Sequence, residues 1–282
     1  MSASTTTFSW DKATWAPLTE MADGFDEYRP AHSTALDGKD LVIEAHFVDD
    51  GDTFTLTQHF TSTDVTWSVS RDGAELQNGQ DGYELFEMQP GLFYLHYQRS
   101  VDDHPVVISA ALDLTSGHVT GAIAELGLMP DPHLARQRWF QGTIAGTAAS
   151  QDDAHTVTDE LIGRRVRYAY SSADVYDHLY LNENLFTWLC VGGTEVGVGD
   201  TERCTYWKLR DNTYLFAWLE KNLGVEGMVL IDLAAHRTVG IQFALDQMTG
   251  ELVNITMGSY AQEFARTPGI EEARPGPPTH AN

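Results

Sequence analysis

The feature that most constrains this chain is an internal duplication, in which residues 163–243 repeat the plan of residues 38–124. Three pairs of residues carry the correspondence: Trp67 with Trp188, Asp113 with Asp232, and Gly121 with Gly240. The first pair is 188 − 67 = 121 positions apart and the others are 232 − 113 = 119 and 240 − 121 = 119, so one small deletion between Arg99 and Val107 reconciles them. Residue types kept in both copies indicate scaffold. A polar group present in one copy only is the better functional candidate.

The charge balance narrows the range of partners. The chain has 282 residues and a net charge of 17 − 41 = −24. A field of that sign repels phosphate backbones and anionic lipids, so we expect no nucleic acid and no membrane partner. No run of about 18 apolar residues is present, and Met1–Thr19 lacks the basic start and apolar stretch of a secretory signal. The sequence therefore predicts a cytoplasmic protein.

Two cysteines, Cys190 and Cys204, both lie in the second copy. They have neither the CxxC spacing nor the nearby histidine of a zinc site, so we expect no metal. Two buried thiols are favoured over a disulfide between neighbouring strands, given the predicted cytoplasmic location.

From Leu36 onward the chain consists of short segments rich in Val, Thr, Phe, Tyr and Trp, bounded by Gly, Asp or Asn. This texture predicts seven or eight short antiparallel strands per copy. Close turns between consecutive strands favour an up-and-down barrel in each half, with a pair of β-sandwiches as the competing architecture. Only Pro132–Phe140 and Gln151–Ile162 have a plausible helical pattern.

The predicted organisation therefore has four parts. Residues 1–35 form an N-terminal arm whose aromatic rings pack against the body, and residues 36–150 form the first barrel. Residues 151–267 form the second barrel, and the Pro- and Gly-rich residues 268–282 form a disordered tail.

The strand predicted over Val175–Asn182 is the most distinctive in the chain. Alternation puts one row of polar and aromatic side chains on a single face: Tyr176, His178, Tyr180 and Asn182. This row suits neither a dry core nor a fully solvated surface, whereas a cavity wall accounts for it. An outward polar face with hydrogen-bonded tyrosines is the alternative. It is favoured for the first-copy counterparts Thr55, Thr57, His59 and Thr61.

A second stripe follows in Tyr214, Phe216, Trp218 and Glu220, which share a face. The first copy has Phe93, Leu95, Tyr97 and Arg99 at an offset of 121. Both copies therefore keep the large apolar residues, which indicates scaffold, whereas the charge at the end of the stripe differs between Arg99 and Glu220. A carboxyl group ending an aromatic stripe has a raised pKa if it is desolvated, which suits acid–base chemistry. Pairing of Glu220 with a cation at the rim is the alternative.

Further residues complete the predicted site. We expect Tyr168, Tyr170 and Trp188 to line the ligand cavity of the second barrel. Arg165 lies in the only basic cluster on a strand and is a candidate anchor for an anionic ligand, although exposed strand charges are the commoner explanation. No hydrolase or zinc-protease motif is present, so nucleophilic and metal catalysis are disfavoured.

These motifs resemble those of the MoaF family. The resemblance rests on Tyr176-x-His178-x-Tyr180-Leu181-Asn182, Thr187-Trp188-x-Cys190, Gly193-x-Glu195-x-Gly197, Asp200-Thr201, Tyr214-x-Phe216-x-Trp218-x-Glu220-Lys221 and Asp232, with a weaker match at Leu36-x-Gly38-Lys39 and Phe54-x-Leu56. It covers roughly Leu36–Phe264 and implies two tandem lipocalin-like (calycin-type) barrels, an all-β fold. The family name refers to molybdenum-cofactor biosynthesis, but the sequence has no loop suited to a pterin phosphate or molybdate, and we predict no cofactor.

Three functions fit the sequence. The first is a cofactor-independent lyase, cyclase, isomerase or dehydratase acting on a small apolar or aromatic metabolite. Here His178 or Glu220 would be the acid or base, and Tyr180 would polarise an oxygen; phenolic acid decarboxylases, which are small calycin-type barrels, are a fold-level analogy. The second is a non-catalytic binding protein for a hydrophobic metabolite, and the third is a structural module with filled barrels. The sequence leaves open whether the chain forms a homodimer.

Overall fold

The computed structural model describes residues 17–101, 104–127, 135–221, 224–246 and 249–267. Eight antiparallel strands form the first barrel: β1 (Asp40–Phe47), β2 (Thr53–Phe60), β3 (Asp64–Arg71), β4 (Ala74–Gln89), β5 (Leu92–Val101), β6 (His104–Asp113), β7 (His118–Leu126) and β8 (Ala135–Ile144). Each strand pairs with the next along the chain, and β8 returns to pair with β1. This closure excludes the β-sandwich, since a closed sheet has no free edges.

The second barrel repeats this plan. Its strands are β10 (Arg164–Ala169), β11 (Val175–Asn182), β12 (Leu185–Gly192), β13 (Gly199–Arg210), β14 (Thr213–Leu219), β15 (Gly224–Asp232), β16 (Arg237–Leu245) and β17 (Leu252–Arg266). Consecutive strands pair, and β10 closes the barrel by pairing with β17. A two-residue strand, β9 (Thr156–Val157), adds to the flank of β13. The prediction of two tandem antiparallel barrels is confirmed.

Both predicted helices are wrong. Residues 135–140 belong to β8, and residues 151–162 contain a 3-10 helix (Gln151–Asp153), β9 and turns. Strand β8 lacks a clear alternation because both of its faces are covered. Phe140 points into the first barrel, while Trp139 packs outward against Trp207 of the second barrel with ring centroids 5.7 Å apart. The predicted tail and Phe8, Trp10 and Trp15 of the arm lie outside the described residues.

The described part of the N-terminal arm packs as expected against the body. A one-turn helix, α1 (Leu18–Met21), places Leu18 against Val225 and Ala244. The Phe25 ring stacks on Tyr170 at 4.7 Å. This segment therefore lies over one end of the second barrel. Within the described residues, no helix is long and apolar enough to cross a membrane.

The two barrels pack through the outward faces of the strands in their second halves. The buried apolar cluster between them draws on both barrels: Phe86, Tyr94, Val107, Ala111, Ala122, Ala124, Trp207, Leu215, Met228, Leu230, Val239, Ile241 and Phe243. These strands are buried on both faces. Their apolar residues therefore run continuously, without the alternation of a half-exposed strand.

A reciprocal pair of hydrogen bonds joins the barrels at the two shared aspartates. Asp113 caps its own hairpin through the backbone N–H groups of Thr115 and Ser116, and it accepts two bonds of 2.8 Å from Arg210 of the second barrel. Asp232 caps its hairpin in the same way and accepts a bond of 2.7 Å from Gln89 of the first barrel. Positions 89 and 210 are themselves equivalent (210 − 89 = 121). The shared aspartates therefore serve as scaffold.

The glycines shared by the two copies, Gly121 and Gly240, also serve as scaffold. A Cβ at Gly240 would lie 2.0 Å from the carbonyl oxygen of Met228, and one at Gly121 would lie 2.5 Å from that of Ser109. Only glycine fits these close strand contacts.

Candidate functional site

Register in the two barrels fixes which residues are equivalent. In the second barrel His178 lies opposite Trp188, and in the first Gln58 lies opposite Trp67. The backbone N–H groups of Gly163 and Gly38 bond to the carbonyls of Tyr180 and Phe60 in the same way. The true counterparts of Tyr176, His178 and Tyr180 are therefore Leu56, Gln58 and Phe60, one residue away from the threonine row. That row faces outward, as the sequence favoured.

Three of the four side chains predicted to share a face of β11 point into the second barrel. Tyr176, His178 and Tyr180 are all buried. Asn182 is exposed, and its Oδ1 accepts a bond from the backbone N–H of Asn184 in the hairpin turn. The register shifts between Tyr180 and Asn182, and this bulge breaks the alternation. The prediction that Asn182 lines the cavity is therefore wrong.

His178 lies in the middle of the barrel, surrounded by aromatic rings. Five ring centroids lie within 6.2 Å of its imidazole: Tyr168, Tyr180, Phe186, Phe216 and Trp218. Burial lowers the pKa of His178 to about 3, which makes the imidazole neutral at physiological pH. Its Nδ1 is buried and has no hydrogen-bond partner among the residues that the structure describes.

Tyr180 lies on the side of His178 away from Tyr176, and it is paired. Its hydroxyl is 2.5 Å from the hydroxyl of Tyr168, and both rings are fully buried. Burial raises the pKa of both phenols. Tyr214, also fully buried, donates a 2.8 Å hydrogen bond to Glu160. This part of the barrel is therefore a packed aromatic layer whose hydroxyls already have partners.

The opposite end of the interior is richer in carboxyl groups, and we call it the mouth. It is formed by inward residues near the ends of β11 to β14 and the loop after β12: Tyr176, Trp188, Glu195, Glu202, Trp218 and Glu220. The Trp218 indole N–H donates to Glu220 Oε1 at 3.4 Å, and the Tyr176 hydroxyl donates to Glu195 Oε2 at 3.1 Å. Within the described part of the chain, the buried indole Nε1 of Trp188 has no hydrogen-bond partner.

The mouth carboxyl groups hold their protons unusually strongly. Burial raises the pKa of Glu220 to about 8, and the negative charge of Glu202 adds to that effect. Burial also raises the pKa of Glu202 to about 7, although the backbone N–H of Lys221 donates to it at 2.9 Å. The pKa of Glu195 is raised by burial as well. Glu220 and Glu202 therefore exchange protons near neutral pH, which an ordinary glutamate does not do.

The first barrel has a different set of charges at the same place. Asp81 and Arg99 occupy the positions of Glu202 and Glu220, each 121 residues earlier. The Trp67 indole donates to Asp81 Oδ2 at 2.7 Å. At these two equivalent positions the first barrel therefore has one acid and one base, whereas the second has two acids.

Arg165 does not enter the barrel. It projects outward with Arg167, and both donate hydrogen bonds to Asp177, whose carboxylate is fully buried between them. Burial alone would raise the pKa of Asp177, but the bonds from Arg167 and Arg165 lower it. The prediction that Arg165 anchors a ligand is wrong, because its charge is used in this triad on the outer face.

Sequence reasoning omitted Glu202 from the site, although the signal was present. Alternation along β13 places Glu202, Cys204 and Tyr206 on the inward face. The strand begins at Gly199, inside the Gly-rich segment 192–200, and this segment obscures the alternation in the sequence. Cys190 and Cys204 are buried free thiols, as expected.

The geometry defines a class of protein: a duplicated, lipocalin-like barrel with an acidic, aromatic mouth in its second half. Comparison with known proteins gives the family. Residues 13–128 match the MoaF N-terminal domain and residues 155–267 match the MoaF C-terminal domain. Protein MoaF of Klebsiella aerogenes is 33% identical over 189 residues, which cover 62% of this chain and 71% of that protein. The chain belongs to the MoaF family.

Among solved structures, the chain is similar to a putative beta-lactamase from Burkholderia vietnamiensis, with 14% identity and a TM-score of 0.34. The match covers 39% of this chain and 100% of that one. A similarity this distant carries no argument about activity.

Proposed function

We propose that the second barrel binds a small apolar or aromatic metabolite at its mouth and performs acid–base chemistry on it with Glu220 and Glu202. The observation that carries this proposal is the pair of inward carboxyl groups at positions where the first barrel has Asp81 and Arg99. Packing alone does not require two desolvated carboxyl groups there. They cost stability, so their presence points to chemistry.

The two carboxyl groups suit proton transfer because their pKa values lie near neutral pH. A general acid or base is most effective when its pKa matches the working pH. At pH 7 Glu220 is mainly protonated and serves as the proton donor. Glu202, with the lower pKa, is ionised to a larger extent at pH 7 and therefore serves as the base. The reaction class that follows is a lyase, isomerase, cyclase or dehydratase type of proton transfer.

The surrounding walls define the kind of molecule that fits. Trp188, Trp218 and Tyr176 present aromatic surface, which favours an apolar or aromatic body. The buried Trp188 Nε1 supplies a hydrogen-bond donor for an oxygen of that molecule. The ligand therefore combines an apolar frame with at least one oxygen acceptor.

The other two predicted catalytic residues take supporting roles in this proposal. His178 is neutral and enclosed by rings, so it acts as the floor beneath the mouth and as a neutral hydrogen-bonding group, not as a base. Tyr180 is committed to Tyr168 and lies deeper than His178. It stabilises the aromatic layer that positions His178.

The test combines ligand discovery with carboxyl variants. A metabolite panel is screened by quenching of tryptophan fluorescence, and each hit is incubated with the protein and analysed for product by mass spectrometry. Glu220→Gln and Glu202→Gln should bind the hit and lose turnover by at least a hundredfold, about the contribution of a general acid or base. Glu263→Gln, near the end of β17 where the carboxylate pairs with Arg164, is the control and should retain full turnover.

A second candidate is a binding protein without catalysis. Phe25 of the N-terminal segment packs edge-on against Tyr176 of the mouth, with ring centroids 5.8 Å apart, an arrangement that suits retention of a ligand. Saturable binding with no product for any ligand in the panel would favour this function and contradict the acid–base proposal.

A further inference from the structure

The first barrel has an arginine at its mouth, Arg99, that forms no ion pair with any residue that the structure describes. Arg99 is half-buried, its guanidinium lies over the Trp67 ring at 4.4 Å, and its Nε is buried without a hydrogen-bond partner. Among the described residues it forms no ion pair within 4.0 Å. Most arginines in this chain do form such pairs. An unpaired, partly desolvated guanidinium is costly, since its donors have lost water without gaining acceptors.

The negative groups nearest to Arg99 are otherwise engaged or distant. Asp81 and Glu125 act on Arg99 electrostatically but are not bonded to it. The Asp81 carboxylate accepts the Trp67 indole N–H. The two acids therefore keep the local charge balanced while leaving the arginine donors open.

A pocket lies directly beside this arginine. It has a volume of about 320 Å³ and is lined by Trp67, Gln77, Asn78, Gly79, Gln80, Asp81 and Arg99. That volume is at the lower end of the range for small-molecule sites. Gly79 shapes the wall, because a Cβ there would lie 2.6 Å from Cζ2 of Trp67. The layer beneath is filled, with Gln58 Nε2 donating to the Tyr97 hydroxyl at 3.4 Å.

We propose that this pocket is a second small-molecule site, specific for a small organic carboxylate that Arg99 binds through its free guanidinium N–H groups. A guanidinium matches a carboxylate in shape and forms two parallel hydrogen bonds with it. The tryptophan beneath holds the guanidinium in place, and the side-chain amides of Gln77 and Gln80 provide further polar wall. The site is independent of the proposed acid–base site in the second barrel.

The duplication explains how one fold came to hold two different sites. Arg99 and Glu220 occupy equivalent positions, so a single change of charge sign converts a carboxylate anchor into a proton-donating group. Each barrel therefore selects its own ligand at the same structural location.

Benzoate, with benzamide as its neutral isostere and benzylamine as its cationic one, provides the test on the full-length protein. In NMR spectra of the uniformly ¹⁵N-labelled wild type, benzoate should shift the Arg99 Nε–H resonance saturably, and benzamide should do so at least tenfold more weakly. This measurement needs no variant. By calorimetry, Arg99→Gln should weaken benzoate binding at least tenfold, and Arg99→Lys should weaken it less.

Two control variants make the result specific. Arg71→Gln removes an exposed arginine of the same barrel, paired with Asp52, and should leave benzoate binding unchanged. Glu263→Gln alters the second barrel away from its mouth, where Glu263 pairs with Arg164, and should also leave benzoate binding unchanged. The proposal is overturned if benzoate produces no saturable shift, if benzamide or benzylamine binds equally well, or if Glu263→Gln weakens binding while Arg99→Gln does not. None of these outcomes bears on acid–base chemistry in the second barrel.

Discussion

Glu220 occupies in the second barrel the position that Arg99 holds in the first. Each follows the inward aromatic stripe of its strand by two residues, after Trp218 and Tyr97 respectively. The frame around the two positions is shared, while the sign of the charge is reversed. Duplication therefore supplied the barrel, and divergence at its mouth supplied two chemically different ends.

The position of Trp218 at the mouth depends on a glycine across the strand pair. A Cβ at Gly227 would lie 2.1 Å from Cζ2 of Trp218, so Gly227→Ala must displace the indole. We expect a loss of about 1–3 kcal/mol in the free energy of unfolding, the usual cost of overpacking. Urea titration followed by circular dichroism measures the loss, and the tryptophan emission maximum should shift as well. Gly82→Ala is the control, since a Cβ at this position would lie 3.8 Å from its nearest neighbour, the carbonyl oxygen of Thr63. A similar loss of stability in Gly82→Ala would contradict this account.

The paired phenols beneath His178 should behave as a unit. Tyr168→Phe leaves the buried Tyr180 hydroxyl without its 2.5 Å partner and should cost about 1–3 kcal/mol of stability. Tyr168→Phe combined with Tyr180→Phe removes both hydroxyls and should cost less than the sum of the single changes. A double-mutant cycle from urea titrations measures the coupling. Strict additivity of the two single changes would show that the hydroxyls do not interact.

The ion pair of Arg210 and Asp113 joins the two barrels and should contribute to the stability of the protein. Arg210→Met leaves a nearly buried carboxylate without its cation, so we expect a loss of about 2–3 kcal/mol in unfolding free energy. Arg71→Met breaks an exposed pair with Asp52 and should cost less than about 1 kcal/mol. Equal losses for the two variants, measured by urea titration, would argue against an energetic role for the interface bond.

A buried glutamate in the interface between the barrels makes stability depend on pH. Glu226 is fully buried, and one of its oxygens accepts a 2.6 Å bond from Gln137. The other oxygen has no partner among the described residues. Burial raises the pKa of this carboxyl from 4.5 to about 8. Because the folded state holds the proton more tightly, the contribution of Glu226 is fully present below about pH 4.5 and is lost as the pH rises through about 8.

Glu226→Gln keeps a neutral side chain at every pH and tests this dependence. Its unfolding free energy relative to wild type should rise by roughly 3–4 kcal/mol between about pH 5 and about pH 9. Urea titrations at a series of pH values provide the measurement. A difference that stays constant across the series would show that Glu226 does not titrate in this range.

Much of the fold follows from the sequence because turns and alternation are local signals. Strand β2, for example, alternates Phe54, Leu56 and Phe60 inward with threonines outward, and Gly and Asp punctuate its ends. Strand β8 could not be found in this way, since contacts from the other barrel bury its outer face. The pairing of Arg210 with Asp113 is equally invisible in the sequence, because it joins residues 97 positions apart in different barrels.

The site was predictable in part for the same reason. The inward aromatic stripe and Glu220 follow from alternation on β14. The bulge that turns Asn182 outward has no local signature in the sequence. The equivalence of His178 and Gln58 follows only from strand register, because each lies opposite the shared tryptophan of its barrel. The sequence shows Arg165 in a basic cluster, but it does not show that Asp177 of the neighbouring strand lies between Arg165 and Arg167 and pairs with both.

Glu220 can donate a proton at neutral pH only if its pKa is raised, and the carboxyl ¹³C resonance of Glu220 measures that pKa. Titration of the full-length protein should give a midpoint near 8, and Glu202→Gln should lower that midpoint by removing the neighbouring negative charge. A midpoint near the ordinary value of 4.5, unchanged by Glu202→Gln, would contradict the account.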